Sequence, residues 1–218
     1  MTARKEVTIV DYGMGNVLSV CRAIERCGAV AKLTGSPQEV AAANRLVLPG
    51  VGAFPDCVTA LERRGLVGPI LSFVATGRPF LGICVGMQIL FEFGEEFGGH
   101  SGLGLIPGRV AQIATGAAQG GTRKIPHIGW TPIAPPPAAG ADWWAGSILA
   151  GTAPQTPFYF VHSFTAITSD GAHCLATADY QGAMVTAAVR HDNVTGTQFH
   201  PEKSGPAGLR VIASFTGE

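Results

Sequence analysis

The stretch Arg78-Pro79-Phe80-Leu81-Gly82-Ile83-Cys84-Val85-Gly86-Met87-Gln88-Ile89-Leu90-Phe91 constrains the fold more than any other in the chain. A short apolar run, Phe80 to Ile83, reads as a buried strand and ends at a cysteine. The pattern then turns helical, with Val85, Ile89 and Phe93 on one face. Gly82 and Gly86 flank the cysteine at two residues on either side. Glycines there permit a sharp strand-to-helix turn, because a side chain would collide with the neighbouring strand or helix. Such a turn lifts Cys84 out of the sheet at a helix N-terminus, where backbone dipoles favour a thiolate. Alone, the window reads equally well as a small core hydrophobe after a buried strand.

The first half alternates strand and helix patterns. Val7 to Val10, Val30 to Leu33 and Leu46 to Leu48 are short apolar strands. A helix from Val17 to Cys27 has Val20, Ala23, Ile24 and Cys27 as its inner face and Gly28 as its stop. Ser36-Pro37 opens a helical turn, and Pro55 to Arg64 and Leu66 to Ala75 read as helices. Continuous apolar strands alternating with helices predict an α/β fold, a largely parallel sheet covered on both faces. From Gly102 the pattern changes to strands: Val110 to Ala114, Trp130 to Ile133, Phe158 to Val161, Cys174 to Ala178, Ala183 to Val189 and Val194 to Gln198. His191-Asp192-Asn193 suits a hairpin turn, which makes the later strands antiparallel. Thr115 to Thr122 and Ala134 to Asp142 read as surface loops, and Asp142 to Leu149 as a short helix burying one or both of Trp143 and Trp144. There is no internal repeat and no linker between two cores, so a single domain over residues 1–218 is expected.

Composition limits what such a fold does. Charged residues are 14% of the chain and the formal net charge is zero, so nothing electrostatic favours nucleic acid or an anionic membrane. No apolar run approaches the ~20 residues of a membrane helix. Met1 to Glu6 passes straight into a strand and does not read as a signal peptide. The 5 cysteines form no close CxxC pair, which argues against a disulfide framework or a metal site and for a reducing cytoplasm.

The far end of the chain strengthens the nucleophile reading. Gln198-Phe199-His200-Pro201-Glu202-Lys203-Ser204 also follows a buried strand, and ligand crevices lie at the carboxyl edge of parallel sheets. A free thiol is only a few per cent ionised at pH 7, so a neighbouring imidazole activates it. Glu202 reaches back toward His200 because Pro201 stiffens the backbone between them, and its carboxylate orients the ring and stabilises the imidazolium. Pro49-Gly50-Val51-Gly52 closes the third strand. A carbonyl attacked by Cys84 develops an oxyanion that needs N–H donors: Val85 supplies one, and Gly50 or Val51 the other. An ordinary glycine turn is the competing reading of that loop.

Pro-Gly-Val-Gly, Gly-Ile-Cys-Val-Gly-Met-Gln and Phe-His-Pro-Glu-Lys-Ser together resemble the triad (class I) glutamine amidotransferases. Asp11 to Asn16, Pro126 to Trp130, Tyr159 to Phe164 and Lys203-Ser204 narrow the resemblance to the glutaminase subunits of imidazole glycerol phosphate synthases, from about residue 7 to 215. The resemblance implies a cofactor-free glutaminase that forms a γ-glutamyl thioester on Cys84. It also implies a heterodimer in which ammonia passes to a cyclase subunit, a (β/α)₈ barrel. By position, Cys84, His200 and Glu202 form the triad, and Gly52, Gln88, Glu96 and the backbone around Ser163 and Phe164 hold the α-amino and α-carboxylate groups of glutamine. Asn16, Trp130 and Lys203 face the partner. The family further implies near silence without the cyclase, for which a Gly50–Val51 peptide resting with its carbonyl toward Cys84 is a physical route. Thr131 stands where the family often has asparagine, and the segment 134–142 is longer than its pattern. The same triad would serve an anthranilate- or guanylate-type synthase or a γ-glutamyl hydrolase, and a decayed, non-catalytic partner subunit would have lost a triad member.

Overall fold

The computed structural model describes residues 5–118 and 121–217. Strand β1 (Glu6–Val10) is buried from Val7 onward. Helix α1 (Val17–Arg26) buries Val20, Ala23 and Ile24, as their spacing predicts. There follow β2 (Val30–Thr34), α2 (Pro37–Ala42), β3 (Leu46–Gly50), α3 (Phe54–Arg63), α4 (Val67–Val74) and β4 (Phe80–Cys84). The Ser36 hydroxyl caps α2 by accepting from the Glu39 amide, with Pro37 in the first turn. Every residue of β3 and β4 is buried, the burial expected of strands in the middle of a parallel sheet.

After β4 the structure departs from the sequence reading. The helix expected to run past Ile89 is a single turn, α5 (Val85–Gln88), and the chain then extends as β5 (Phe91–Gly94). Ile89-Leu90-Phe91 is apolar on every side, so periodicity cannot tell a helix from a strand there. Pairing decides: β5 lies parallel to β7 (Ile106–Gln112) and antiparallel to β6 (His100–Ser101), which leaves Phe93 half-exposed. The loop expected over 115–122 contains a small ladder, β8 (Ala117–Ala118) with β9 (Gly121–Thr122); its residues 119–120 lie outside those described.

The remaining elements are β10 (His127–Ala134), β11 (Pro157–His162), β12 (Phe164–Thr168), β13 (Cys174–Tyr180), β14 (Ala183–His191), β15 (Val194–Thr197) and α6 (Gly205–Thr216). Residues 142–149 form successive turns rather than the expected helix, with Asp142 at φ 61° and Gly146 at φ 66°. Trp144 is nevertheless buried, and both indole N–H groups donate to the Leu175 carbonyl. The sequence pattern predicts neither β12 nor α6. Gly205, Pro206 and Gly208 hide the start of α6 from any helix propensity. Gly208 is there for contact, since a Cβ on it would lie 1.9 Å from the Pro201 carbonyl oxygen. Val211, Ile212 and Phe215 carry the buried side of α6.

The main sheet has nine strands in the order β11-β10-β13-β14-β15-β4-β3-β1-β2. From β15 to β2 the neighbours run parallel, and from β11 to β15 antiparallel. A second sheet has the order β12-β7-β5-β6. Helix α1 packs on α6, and α2 on α4. Because β15, β4 and β3 are parallel neighbours, their carboxyl ends open on one edge, which brings Gly50, Cys84 and the segment leading to His200 together.

Candidate active site

The turn at Cys84 is as tight as the glycine pattern demands. Cys84 sits at φ 56°, ψ −114°, a strained backbone for a residue with a side chain. A Cβ on Gly82 would lie 2.6 Å from the Gly86 carbonyl oxygen, and one on Gly86 would lie 1.9 Å from that of Leu48. Gly50 belongs to the same packing problem, because a Cβ there would come 2.5 Å from the Gly86 amide nitrogen. Its place beside the elbow is thus required by close approach as much as by backbone freedom. Val85 opens α5, so its amide has no carbonyl one turn back and is available as a donor.

His200 and Glu202 stand where the sequence places them. His200 Nδ1 is 2.9 Å from Glu202 Oε1, with the two side chains 3% and 1% exposed. A 3-10 turn, Pro201–Lys203, folds the carboxylate back onto the ring. The segment is tied to β11: the His200 amide donates to the Tyr159 carbonyl, the Tyr159 amide donates to Ser204 Oγ, and the Ser204 hydroxyl donates to the His200 carbonyl. Asn16, expected on the partner face, also donates through Nδ2 to Glu202 Oε1 at 3.4 Å. Burial opposes a charge on His200, but its contacts with Cys84 and Glu202 outweigh burial and raise its pKa to about 10. A protonated imidazole beside Cys84 is the form that stabilises a nucleophilic thiolate. His200 Nε2 is buried without a hydrogen-bond partner among the described residues.

These groups open into a cavity of about 260 Å³. Its walls include Val51, Gly52, Cys84, Val85, Gln88, Glu96, Ser163, Phe164 and His200, nine of the positions named from sequence. Gly50 and Glu202 are not among its lining residues. The volume suits an amino-acid-sized ligand rather than a larger one. Gln88 is anchored by donating to the Phe164 carbonyl at 3.1 Å and to Gln198 Oε1 at 3.0 Å. One oxygen of Glu96 accepts from the Phe54 amide at the start of α3. Trp130 and Lys203 are exposed, and Trp130 meets the ring of Tyr159 edge-on.

Sequence reasoning missed several contributors. Pro126, Val161 and His162 line the cavity, Gln198 Nε2 lies 3.7 Å from Cys84 Sγ, and Ser204 fastens the His200 turn. All five lie within or beside the stretches that carry the resemblance, so the signal was proximity in the chain, without the role.

The description "Glutamine amidotransferase class-I" belongs to the family model that matches residues 8–216. The chain belongs to this family. Among curated relatives, this amidotransferase is 47% identical over 213 residues to "Imidazole glycerol phosphate synthase subunit HisH" of Syntrophotalea carbinolica, covering 96% of this chain and 98% of that protein. It is 44% identical over 209 residues to "Imidazole glycerol phosphate synthase subunit HisH 1" of Legionella pneumophila strain Lens, covering 96% and 97%. Among solved structures, the amidotransferase superposes on PurLQS of Thermotoga maritima with a TM-score of 0.73 at 19% identity, covering 99% of both chains. The crystal structure of another glutamine amidotransferase gives 0.69 at 17% identity, covering 97% of this chain and 99% of the other. At these identities the solved structures speak for the fold alone.

Proposed function

We propose that the chain, as one amidotransferase domain, hydrolyses L-glutamine to glutamate and ammonia and delivers the ammonia to a cyclase partner in histidine biosynthesis. The observation that carries the chemistry is the His200–Glu202 pair at 2.9 Å, beside the strained Cys84 elbow on a closed-in cavity. The γ-amide of glutamine enters with its carbonyl carbon against Cys84 Sγ. Sulfur attacks, and the developing oxyanion is received by the Val85 amide and by the Gly50–Val51 peptide. His200 gives its proton to the leaving nitrogen, and ammonia departs from the thioester. The now neutral ring takes a proton from water, whose oxygen attacks the thioester; glutamate leaves and Sγ is restored. Glu202 holds the ring throughout and stabilises its charged form, and Asn16 steadies Glu202. Gly52, Gln88, Glu96 and the Ser163–Phe164 backbone receive the α-amino and α-carboxylate groups.

The names of relatives at 44% to 47% identity across 96% of the chain favour the histidine pathway over an anthranilate- or guanylate-type synthase. The partner is a (β/α)₈ cyclase in a cytoplasmic heterodimer. It docks where Asn16, Trp130 and Lys203 surround the triad's outer side, with Ile128 adding exposed apolar surface. Among the described residues no helix is long and apolar enough to cross a membrane. Glutaminase activity measured with and without the cyclase and its nucleotide ligand tests the reading. Glutamate and ammonia released in stoichiometric amounts, faster with the cyclase, are expected; no release under either condition would refute it.

A further inference from the structure

Behind the cavity, β10 and β11 place His127 directly opposite His162. Thr131 Oγ1 is 2.7 Å from His127 Nε2, His127 Nδ1 is 3.0 Å from His162 Nε2, and His162 Nδ1 is 2.8 Å from the Phe164 carbonyl oxygen. The last partner is a pure acceptor, so His162 Nδ1 must carry hydrogen. A neutral imidazole carries only one, so His162 Nε2 accepts, His127 Nδ1 donates, and His127 Nε2 accepts from the Thr131 hydroxyl. The direction of every bond is thereby set, and both rings hold the Nδ1–H tautomer. Burial favours neutral rings here: it pulls His127 down to about 4 and His162 to about 3. The His127 ring is also held flat between Phe160 and Tyr180, with centroids 4.8 and 3.9 Å away.

The chain of contacts does not stop at Phe164. Gln88 Nε2 donates to the same carbonyl and to Gln198 Oε1, and Gln198 Nε2 approaches Cys84 Sγ at 3.7 Å. We propose that Thr131, His127 and His162 are positioning residues for glutamine: the Phe164 carbonyl fixes the tautomer of both rings, and the Thr131 hydroxyl, by donating to the lone pair this leaves on His127 Nε2, anchors a relay that holds the Phe164 carbonyl and Gln88 in the pocket wall. Without that hydroxyl, the His127 Nε2 lone pair is buried with no donor, while the Phe164 carbonyl still requires hydrogen on His162 Nδ1. The tautomers therefore stay, but the His127 ring loses its outer anchor and the His162 ring bonded to it is held less firmly. The Phe164 carbonyl and the Ser163–Phe164 loop lose definition with it. Trp130 is the exposed neighbour of Thr131 on the same strand, so the device begins one residue from the proposed partner face.

The role in glutamine binding rests on the proposed glutaminase reading; the tautomers do not. The first measurement is therefore the ¹⁵N ring spectrum of the full chain at pH 7. Both His127 and His162 are expected as Nδ1–H, and Nε2–H on either ring would overturn the proposal. The second is steady-state glutaminase kinetics of the cyclase complex. Thr131→Val, nearly isosteric and inside the sheet, is expected to leave both rings Nδ1–H and to shift the His127 Nε2 resonance as its donor is lost. It should also raise KM for glutamine about fivefold, the worth of about one hydrogen bond, with kcat within about twofold. Thr131→Ser should restore both. An unchanged KM in Thr131→Val, or a fall confined to kcat, would overturn the positioning role. Absence of any glutamine hydrolysis by the wild-type complex would instead refute the function, leaving the tautomers to be judged on the spectrum.

Discussion

At the scale of single residues, the proposed reaction divides its labour between Cys84 as nucleophile, His200 as proton carrier and Glu202 as orienting carboxylate. Cys84→Ala removes the proposed attacking atom, so it should abolish glutamine hydrolysis, whereas synthesis from added ammonium salt in the cyclase complex should persist. Glu202→Gln keeps a group beside His200 Nδ1 but not its charge, and should lower kcat by about 10² to 10⁴ while leaving measurable turnover. Equal loss in both folded variants would refute the orienting role of Glu202. The histidines also set a pH profile for stability. His127 and His162 are depressed to about 4 and about 3 from an unfolded value near 6.5, so below that value the unfolded chain binds more protons. Stability should fall as pH drops from about 6.5, by up to about 1.4 kcal/mol per pH unit for each ring. His200 acts in the opposite sense: raised to about 10, it contributes fully below about 6.5 and loses its contribution as pH climbs toward 10. Urea midpoints at pH 7, 6 and 5 measure the acid limb, and His162→Gln should flatten it.

At the scale of elements, the elbow is a contact between three backbones. β3, β4 and α5 approach so closely that Gly50, Gly82 and Gly86 have no room for a methyl group. Gly86→Ala should therefore cost about 3 kcal/mol or more and lower Tm by about 10 °C, because the obstacle is the Leu48 carbonyl and not a mobile side chain. Gly68, inside α4 with nothing within 4 Å of where a methyl group would stand, is the control. Gly68→Ala should be neutral or stabilising by up to about 1 kcal/mol, from helix propensity and a less flexible unfolded chain. Calorimetry of the pair separates steric demand from mere loss of glycine. The same logic joins α6 to the His200 turn through Gly208, so the C-terminal helix supports the catalytic edge from behind.

At the scale of the whole molecule, the parallel half of the sheet carries Cys84 and the segment leading to His200 on one edge, and the antiparallel half carries the surface beside it. Trp130 on β10 is 55% exposed and sits across from Tyr159, whose backbone holds His200 and Ser204. Partner docking on Trp130, as proposed, would act one strand away from His200. A resting Gly50–Val51 peptide with its carbonyl inward would withhold an oxyanion donor, worth about 10² to 10³ in rate. Binding of cyclase and nucleotide should therefore raise glutaminase activity mainly through kcat. Trp130→Ala should weaken cyclase association without altering the fold, as titration calorimetry and circular dichroism would show. A lone chain already turning over at the full rate of the complex would refute this coupling.

The sequence alone was most legible where sterics demand a particular residue in a local pattern. Gly82-x-Cys84-x-Gly86 by itself left a core cysteine as an equal reading, and it pointed to the elbow once His200-Pro201-Glu202, where a single stiff proline brings carboxylate to imidazole, stood beside it. The buried strands β1, β3 and β4 were equally legible, since an unbroken apolar run has few other uses. What only the tertiary structure decided was set by distant partners. Ile89 to Phe91 became the exit from α5 and the start of β5 because β6 and β7 were there to pair with that strand. Gly208, which helped to disguise α6, answers to Pro201 across a packing contact, and Asn16 answers to Glu202 from the other end of the chain. The Thr131–His127–His162 relay exists only because β10 and β11 lie in one register. Short-range sterics leave a mark in sequence; a hydrogen bond between residues far apart in the chain leaves none until the fold closes the distance.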